Sequence, residues 1–204
     1  MQPTSLDVAS APVLKALRAS TGELHIALEK RLPFFSDTLD IPAFLLLMQA
    51  YHGFYSPLEA ALQRACGPST DFDLHPRYKT ATLRDDLQTL GLSAAVLADL
   101  PACTELPRLD SPAACLGVLY VLEGATLGGQ VLRREIHGRL GLDASNGAAF
   151  LDVYGADTGR RWRAFLIYLC SRPLDAAECA VVVAAAQQTF RCFERWLESR
   201  EVLL

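Results

Sequence analysis

Histidine is scarce in this chain of 204 residues, with only four in all. The six cysteines (Cys66, Cys103, Cys115, Cys170, Cys179 and Cys192) form no Cys-x-x-Cys pair and no zinc-like spacing. That removes the common zinc and dithiol motifs. Several cysteines fall on apolar helical faces, where the side chain acts as a small hydrophobe. A reduced, cytoplasmic compartment is therefore the simpler reading. Residues 1–11 lack a basic stretch followed by an apolar core, so no signal peptide is expected. No uninterrupted apolar run approaches the roughly 20 residues of a membrane helix, and no membrane association is expected. A formal net charge of −4 gives no overall electrostatic reason to expect nucleic acid. Strand-like alternation is absent, as are flavin and nicotinamide motifs.

What is present is apolar, at 51% of residues, and helical in period. The length suits one domain with a sizeable core, here residues 11–204 behind a short flexible lead of residues 1–10. The first helix is expected over residues 11–32, stopping before Pro33. The second has Asp40 as N-cap and Pro42 in its first turn, runs to Cys66 before a stop at Gly67-Pro68, and is expected to kink near Gly53 and Pro57. Shorter helices follow over residues 76–90 and 93–100. Ser111-Pro112 opens a long helix that ends near Gly138. After an irregular stretch from Gly141 to Gly155 come helices over residues 158–171 and 175–200, the last opened by a capping box, Asp175 with Glu178. The fold class is all-α.

Two features carry chemistry. The first is Tyr120-Val-Leu-Glu-Gly-Ala-Thr-Leu-Gly-Gly-Gln130, which puts Gly124, Gly128 and Gly129 inside an apolar helix. Each glycine costs about 1 kcal/mol against alanine there. Gly124 and Gly128 share a face and leave a bare strip for a planar ligand or for a second helix. The second feature is His25, at the edge of the apolar stripe of the first helix. Glu29, one turn on, is spaced to orient its imidazole, and Arg18 lies two turns back. The same position also suits a partly buried histidine bonded to a backbone carbonyl. His52, His75 and His137 sit beside glycine or proline and are less suited to a ligand role.

Together, Leu17-Arg-Ala-Ser-Thr-Gly-Glu-Leu-His25 with Glu29, and Glu123-Gly-Ala-Thr-Leu-Gly-Gly-Gln130, resemble the proximal and distal helices of the haem oxygenase family. The bacterial enzymes associated with bacteriophytochromes are the nearest in pattern. The resemblance implies a haem oxygenase-like helical bundle with His25 as iron ligand and haem held between the two helices. Gly124 and Gly128 would lie at its distal face, with Arg18 and Arg163 near the propionates and Arg160 or Arg161 as substitutes for Arg163. Thr21, Tyr120, Thr126 and Trp162 would line the pocket. Two positions depart from some relatives. Ala125 stands where animal-type enzymes carry an aspartate that organises proton delivery, and Gly22 stands at a position that is basic in others.

The activity so implied is cleavage of haem by dioxygen and reductant to biliverdin, carbon monoxide and ferrous iron. Haem would be cofactor and substrate together. An external electron donor, ferredoxin-like or a reductase, would be needed, and a bacteriophytochrome is the implied recipient of biliverdin. A haem carrier or sensor that does not degrade its ligand would share the His25 site. A thiaminase-like enzyme of the same architecture would need carboxylates around a nucleophilic cysteine, and no such cluster is seen.

Overall fold

Prolines and short polar side chains set most of the helix ends. The structure, a computed structural model, describes Val8 and residues 11–66 and 72–204. The remainder of the 1–10 lead and the Gly67-Pro68 stop lie outside the described residues. Helix α1 (Pro12–Arg31) begins on a proline at its first position and halts before Pro33. Helix α2 (Ile41–Cys66) is capped by Asp40, which accepts the Ala43 N–H at 2.8 Å. Such a cap stabilises a helix by about 1 kcal/mol.

Helix α2 runs through Pro57, where a kink is expected, without interruption. Pro57 has no N–H to offer the Gly53 carbonyl. That carbonyl accepts the Cys103 N–H at 2.8 Å instead. One turn earlier the Ala50 carbonyl takes the Trp196 indole N–H at 2.7 Å.

The expected 76–90 helix divides into a 3-10 turn (His75–Arg77) and α3 (Thr80–Thr89). A five-residue α4 (Ala94–Ala98) follows, capped by Ser93. The long glycine-bearing helix, α5 (Pro112–Leu140), starts on its Ser111 cap. It passes Gly138 and ends at Gly141, whose left-handed φ of 69° closes the helix. The irregular stretch holds 3-10 turns Ala149–Asp152 and Gly155–Asp157. Helix α6 (Thr158–Ser171) keeps its expected bounds, and α7 (Ala176–Ser199) carries both bonds of the Asp175–Glu178 capping box. No strand occurs among the described residues.

Helix α5 lies against α7, and α7 also covers α1. Gly117 allows the first of these contacts: a methyl group there would meet Ala185 Cβ at 2.9 Å and the Ala186 nitrogen at 3.0 Å. By length and composition α5 could cross a membrane, which the reading by uninterrupted apolar runs did not register. Here it is a core helix, with Leu116, Val118, Leu119 and Leu122 buried against its neighbours. Each such side chain contributes about 1.5–3 kcal/mol.

The cysteines do not all remain thiols. Helices α2 and α5 bring Cys66 and Cys115 to a Cα separation of 6.6 Å, and a disulfide joins them. This corrects the reading of cysteine as apolar filler in a reduced chain. Cys103, Cys170, Cys179 and Cys192 are free.

Candidate functional site

Packing α7 against both α1 and α5 leaves a gap between the latter two. It is a cavity of about 630 Å³, within the range of small-molecule and cofactor sites. Helix α1 contributes Arg18, Thr21, His25 and Glu29, and α5 contributes Tyr120, Gly124, Thr126 and Gly128. Eight of the expected residues therefore meet around one cavity. Trp162 joins them from α6.

His25 presents a half-exposed imidazole whose polar contact is Glu29, with Nε2 3.4 Å from Oε1. Its ring meets the edge of Phe190 on α7 at 6.0 Å. Among the described residues no backbone carbonyl takes it up, so the buried-histidine alternative does not apply. Thr21 is buried and donates to the Leu17 carbonyl at 2.8 Å. Thr126 does the same to the Glu123 carbonyl at 2.7 Å. Burial raises the Tyr120 phenol above its ordinary range, opposed by a hydrogen bond with Thr21 and by the Arg18 charge.

The choice between helix packing and ligand approach divides by residue. A methyl group on Gly128 would meet nothing within 4 Å, and one on Gly124 would meet only the Trp162 ring, at 3.6 Å. Gly128 touches no second helix, and Gly124 meets α6 only at the rim of the Trp162 ring, at ordinary contact distance. Gly129 does pack: its added methyl would collide with the Leu151 carbonyl.

The structure does not bring Arg163 to the cavity. The inward stripe of α6 is Thr158, Trp162, Phe165, Leu166 and Leu169, and this turns Arg163 to solvent. Its two substitutes are engaged elsewhere. Arg160 pairs with Asp157 at 2.7 Å. Arg161 donates to the Pro76 carbonyl at 3.0 Å and lies over the Tyr154 ring. Arg18 is the cation at the cavity's exposed side, and Lys79 lines its interior.

The inner wall was not foreseen. Tyr51 and Tyr55 of α2, Phe150 and Phe193 form an aromatic cluster with ring separations of 5.0 Å (Tyr51–Phe193) and 5.3 Å (Tyr55–Phe150). Burial pushes both phenols well up, so they stay neutral donors. The aromatic spacing in α2 was a visible signal, but core packing produces the same one.

Lys79 had no signal at all. It is 2% exposed and reaches the Glu123 carboxylate, itself 1% exposed, at 2.9 Å. Arg77 pairs with the second oxygen of Glu123, and the Tyr154 hydroxyl donates to the first at 2.8 Å. Burial, then the Glu123 charge, raises the Tyr154 phenol far above its usual range. Removing one member of such a buried group costs about 3–5 kcal/mol, because a charge is left unpaired.

Half-exposed imidazole, bare helix face and apolar walls together suit a flat, metal-bearing ligand. A metal could bind one ring nitrogen of His25 while Glu29 accepts from the other. Residues 11–199 match the protein family described as Heme oxygenase. The chain is 29% identical over 164 residues to a heme oxygenase of Xanthomonas campestris pv. campestris (strain 8004), across 78% of this chain and 91% of that one. Its fold is similar to the heme oxygenase from Leptospira interrogans, with a TM-score of 0.76, 21% identity and coverage of 92% and 98% of the two chains. It is also similar to heme oxygenase-1 from the cyanobacterium Synechocystis sp. PCC6803 in complex with heme. There the TM-score is 0.72 at 17% identity, covering 92% and 91%.

Proposed function

The chain belongs to the haem oxygenase family, and from that premise we propose that it degrades haem bound in the cavity between α1 and α5. The observation that carries the reading is the half-exposed His25 imidazole on one wall with Gly124 and Gly128 bare on the other.

Bound haem supplies an iron that activates dioxygen and the porphyrin that is opened, giving biliverdin, carbon monoxide and ferrous iron. The protein's part is placement. His25 holds the iron from the α1 side, and Glu29 fixes the tilt of the imidazole through its second nitrogen. Arg18 meets a propionate by a charge-assisted hydrogen bond. Gly124 and Gly128 keep side chains off the oxygen-binding face, so the α5 backbone sets how far a small ligand can extend. The Thr126 hydroxyl donates its proton to its own helix, which leaves the oxygen only as an acceptor toward the cavity.

With Ala125 in place of an acid, the Tyr51 and Tyr55 hydroxyls on the inner wall are placed to hold water inside. Their raised pKa values keep the proton on the phenol oxygen until an acceptor draws it. The aromatic wall behind them excludes bulk water. Electrons come from a separate ferredoxin-like or reductase partner, and a biliverdin-binding photoreceptor is the proposed recipient of product.

The test is haemin titration followed by reduction under air, with His25→Ala in parallel. In the wild type the Soret band should form and then give way to a biliverdin-like spectrum. The variant should keep its helical signal and lose ligation, with partial recovery on adding imidazole. A normal haem spectrum and normal turnover in His25→Ala would overturn the assignment.

A further inference from the structure

The cavity face of α5 is bare at Gly124 and at Gly128, one turn apart, and that raises the question of what holds this stretch in place. Packing from the cavity side does not, since Gly128 has open space before it and Gly124 meets only the rim of Trp162. The restraints sit at the two ends of the stretch. At one end the Glu123 carboxylate is gripped by Arg77, Lys79 and Tyr154. At the other, Gly129 seats against Leu151 while Gln130 donates to Asp152 at 2.6 Å. The five residues between span roughly 7 Å of helix.

We propose that Glu123 is a positioning residue: its buried carboxylate, pulled from behind α5, sets how far the bare wall stands from whatever the cavity holds. The proposal rests on the haem-binding reading above.

Two routes carry a change at Glu123 into the cavity. The first is covalent, because Gly124 is the next residue. The second runs through Lys79, a residue of the cavity lining whose ammonium divides its hydrogen bonds between Glu123 and the Arg77 carbonyl, both at 2.9 Å. Arg77 extends the grip outward, bonding the Arg161 carbonyl at 3.4 Å and lying over Phe72 at 4.2 Å. The carboxylate thus joins α5, the 75–79 segment and the start of α6 at one point. Paired charges at this depth tolerate little displacement, because separation leaves each without water or partner.

Glu59 offers a built-in contrast. It is also buried, but it accepts from the Lys79 and Thr80 backbone amides at 2.7 and 3.0 Å, not from the Lys79 ammonium, and among the described residues no hydrogen bond or ion pair joins it to α5.

The experiment compares the wild type with Glu123→Gln, Tyr154→Phe and Glu59→Gln, each loaded with haemin, reduced and exposed to carbon monoxide. The readouts are haemin affinity, the carbon monoxide stretching frequency, its release rate and the melting temperature. Tyr154→Phe removes one hydrogen bond to the carboxylate and keeps the ring, so it should fold even if Glu123→Gln does not.

The expected result is a shifted or split stretch and a release rate changed about threefold or more in the Glu123 and Tyr154 variants, with haemin affinity little altered. Glu59→Gln should lower the melting temperature and leave the stretch where it is in the wild type. An unmoved stretch and release rate in Tyr154→Phe and in any folded Glu123→Gln would overturn the proposal. So would a shift of equal size in Glu59→Gln, which would mean general loosening. Failure of the wild type to bind haemin would instead overturn the functional reading on which the proposal rests.

Discussion

Gly128 and Gly129 are adjacent on α5, yet a methyl group added to the first would meet open space and one added to the second would strike the Leu151 carbonyl. The contrast extends along the helix. Gly117 and Gly129 exist because backbone or a neighbouring helix comes too close for a side chain. Gly124 and Gly128 exist on the cavity face, where only the rim of Trp162 comes near. One residue type therefore answers two needs, contact on the packed side and vacancy on the cavity side. Only the packed side should matter to folding.

That separation can be attacked from the packed side first, with the largest effect expected at the Cys66–Cys115 disulfide. It closes a separation of 49 residues, and the chain-entropy relation gives about 4 kcal/mol for a loop of that length. Reduction, or Cys66→Ser with Cys115→Ser, should move the urea midpoint sharply while the haemin spectrum of the folded fraction stays as it was. An unchanged midpoint would show that the cross-link restrains nothing.

Gly129→Ala should come next. Overpacking against a carbonyl that cannot retreat costs about 1–3 kcal/mol, against roughly 1 kcal/mol regained in helix propensity. Urea denaturation should register the net loss. A variant at least as stable as the wild type would mean that Leu151 yields, and the two classes of glycine would merge.

Gly128→Leu tests the other side. Helix propensity rises by roughly 0.8 kcal/mol, so the melting temperature should hold or increase. Single-turnover biliverdin yield should nonetheless fall at least tenfold, equivalent to about 1.4 kcal/mol in the barrier. A destabilised protein whose folded fraction still cleaves haem at the wild-type rate would put Gly128 among the packing glycines.

Local signals were read well from the sequence, and signals that depend on partners were not. Asp40, Ser111 and the Asp175–Glu178 box act within four residues of themselves, so the helix starts they govern could be placed directly. His25 and the α5 glycines could be paired as a candidate site because each motif is contiguous. Arg163 went astray because the roll of α6 about its axis depends on Trp162, Phe165 and Leu169 finding their neighbours. A rotation of one residue separates a cavity-facing cation from a solvated one. Glu123 lay in plain view within the glycine motif, but its partners Arg77 and Lys79 are 46 and 44 residues away. Nothing local marks either. The same holds for Cys66 and Cys115, whose spacing resembles no pairing rule and whose meeting follows from how α2 crosses α5.

Pro57 has a consequence of its own. A proline inside a helix is usually counted as a lost bond, but here the loss works as an address. The Gly53 carbonyl, left without a partner by its own helix, is open to one particular amide, that of Cys103 in the connection leading to α5. An otherwise unstructured linker is thereby moored to the core helix that carries Tyr51 and Tyr55.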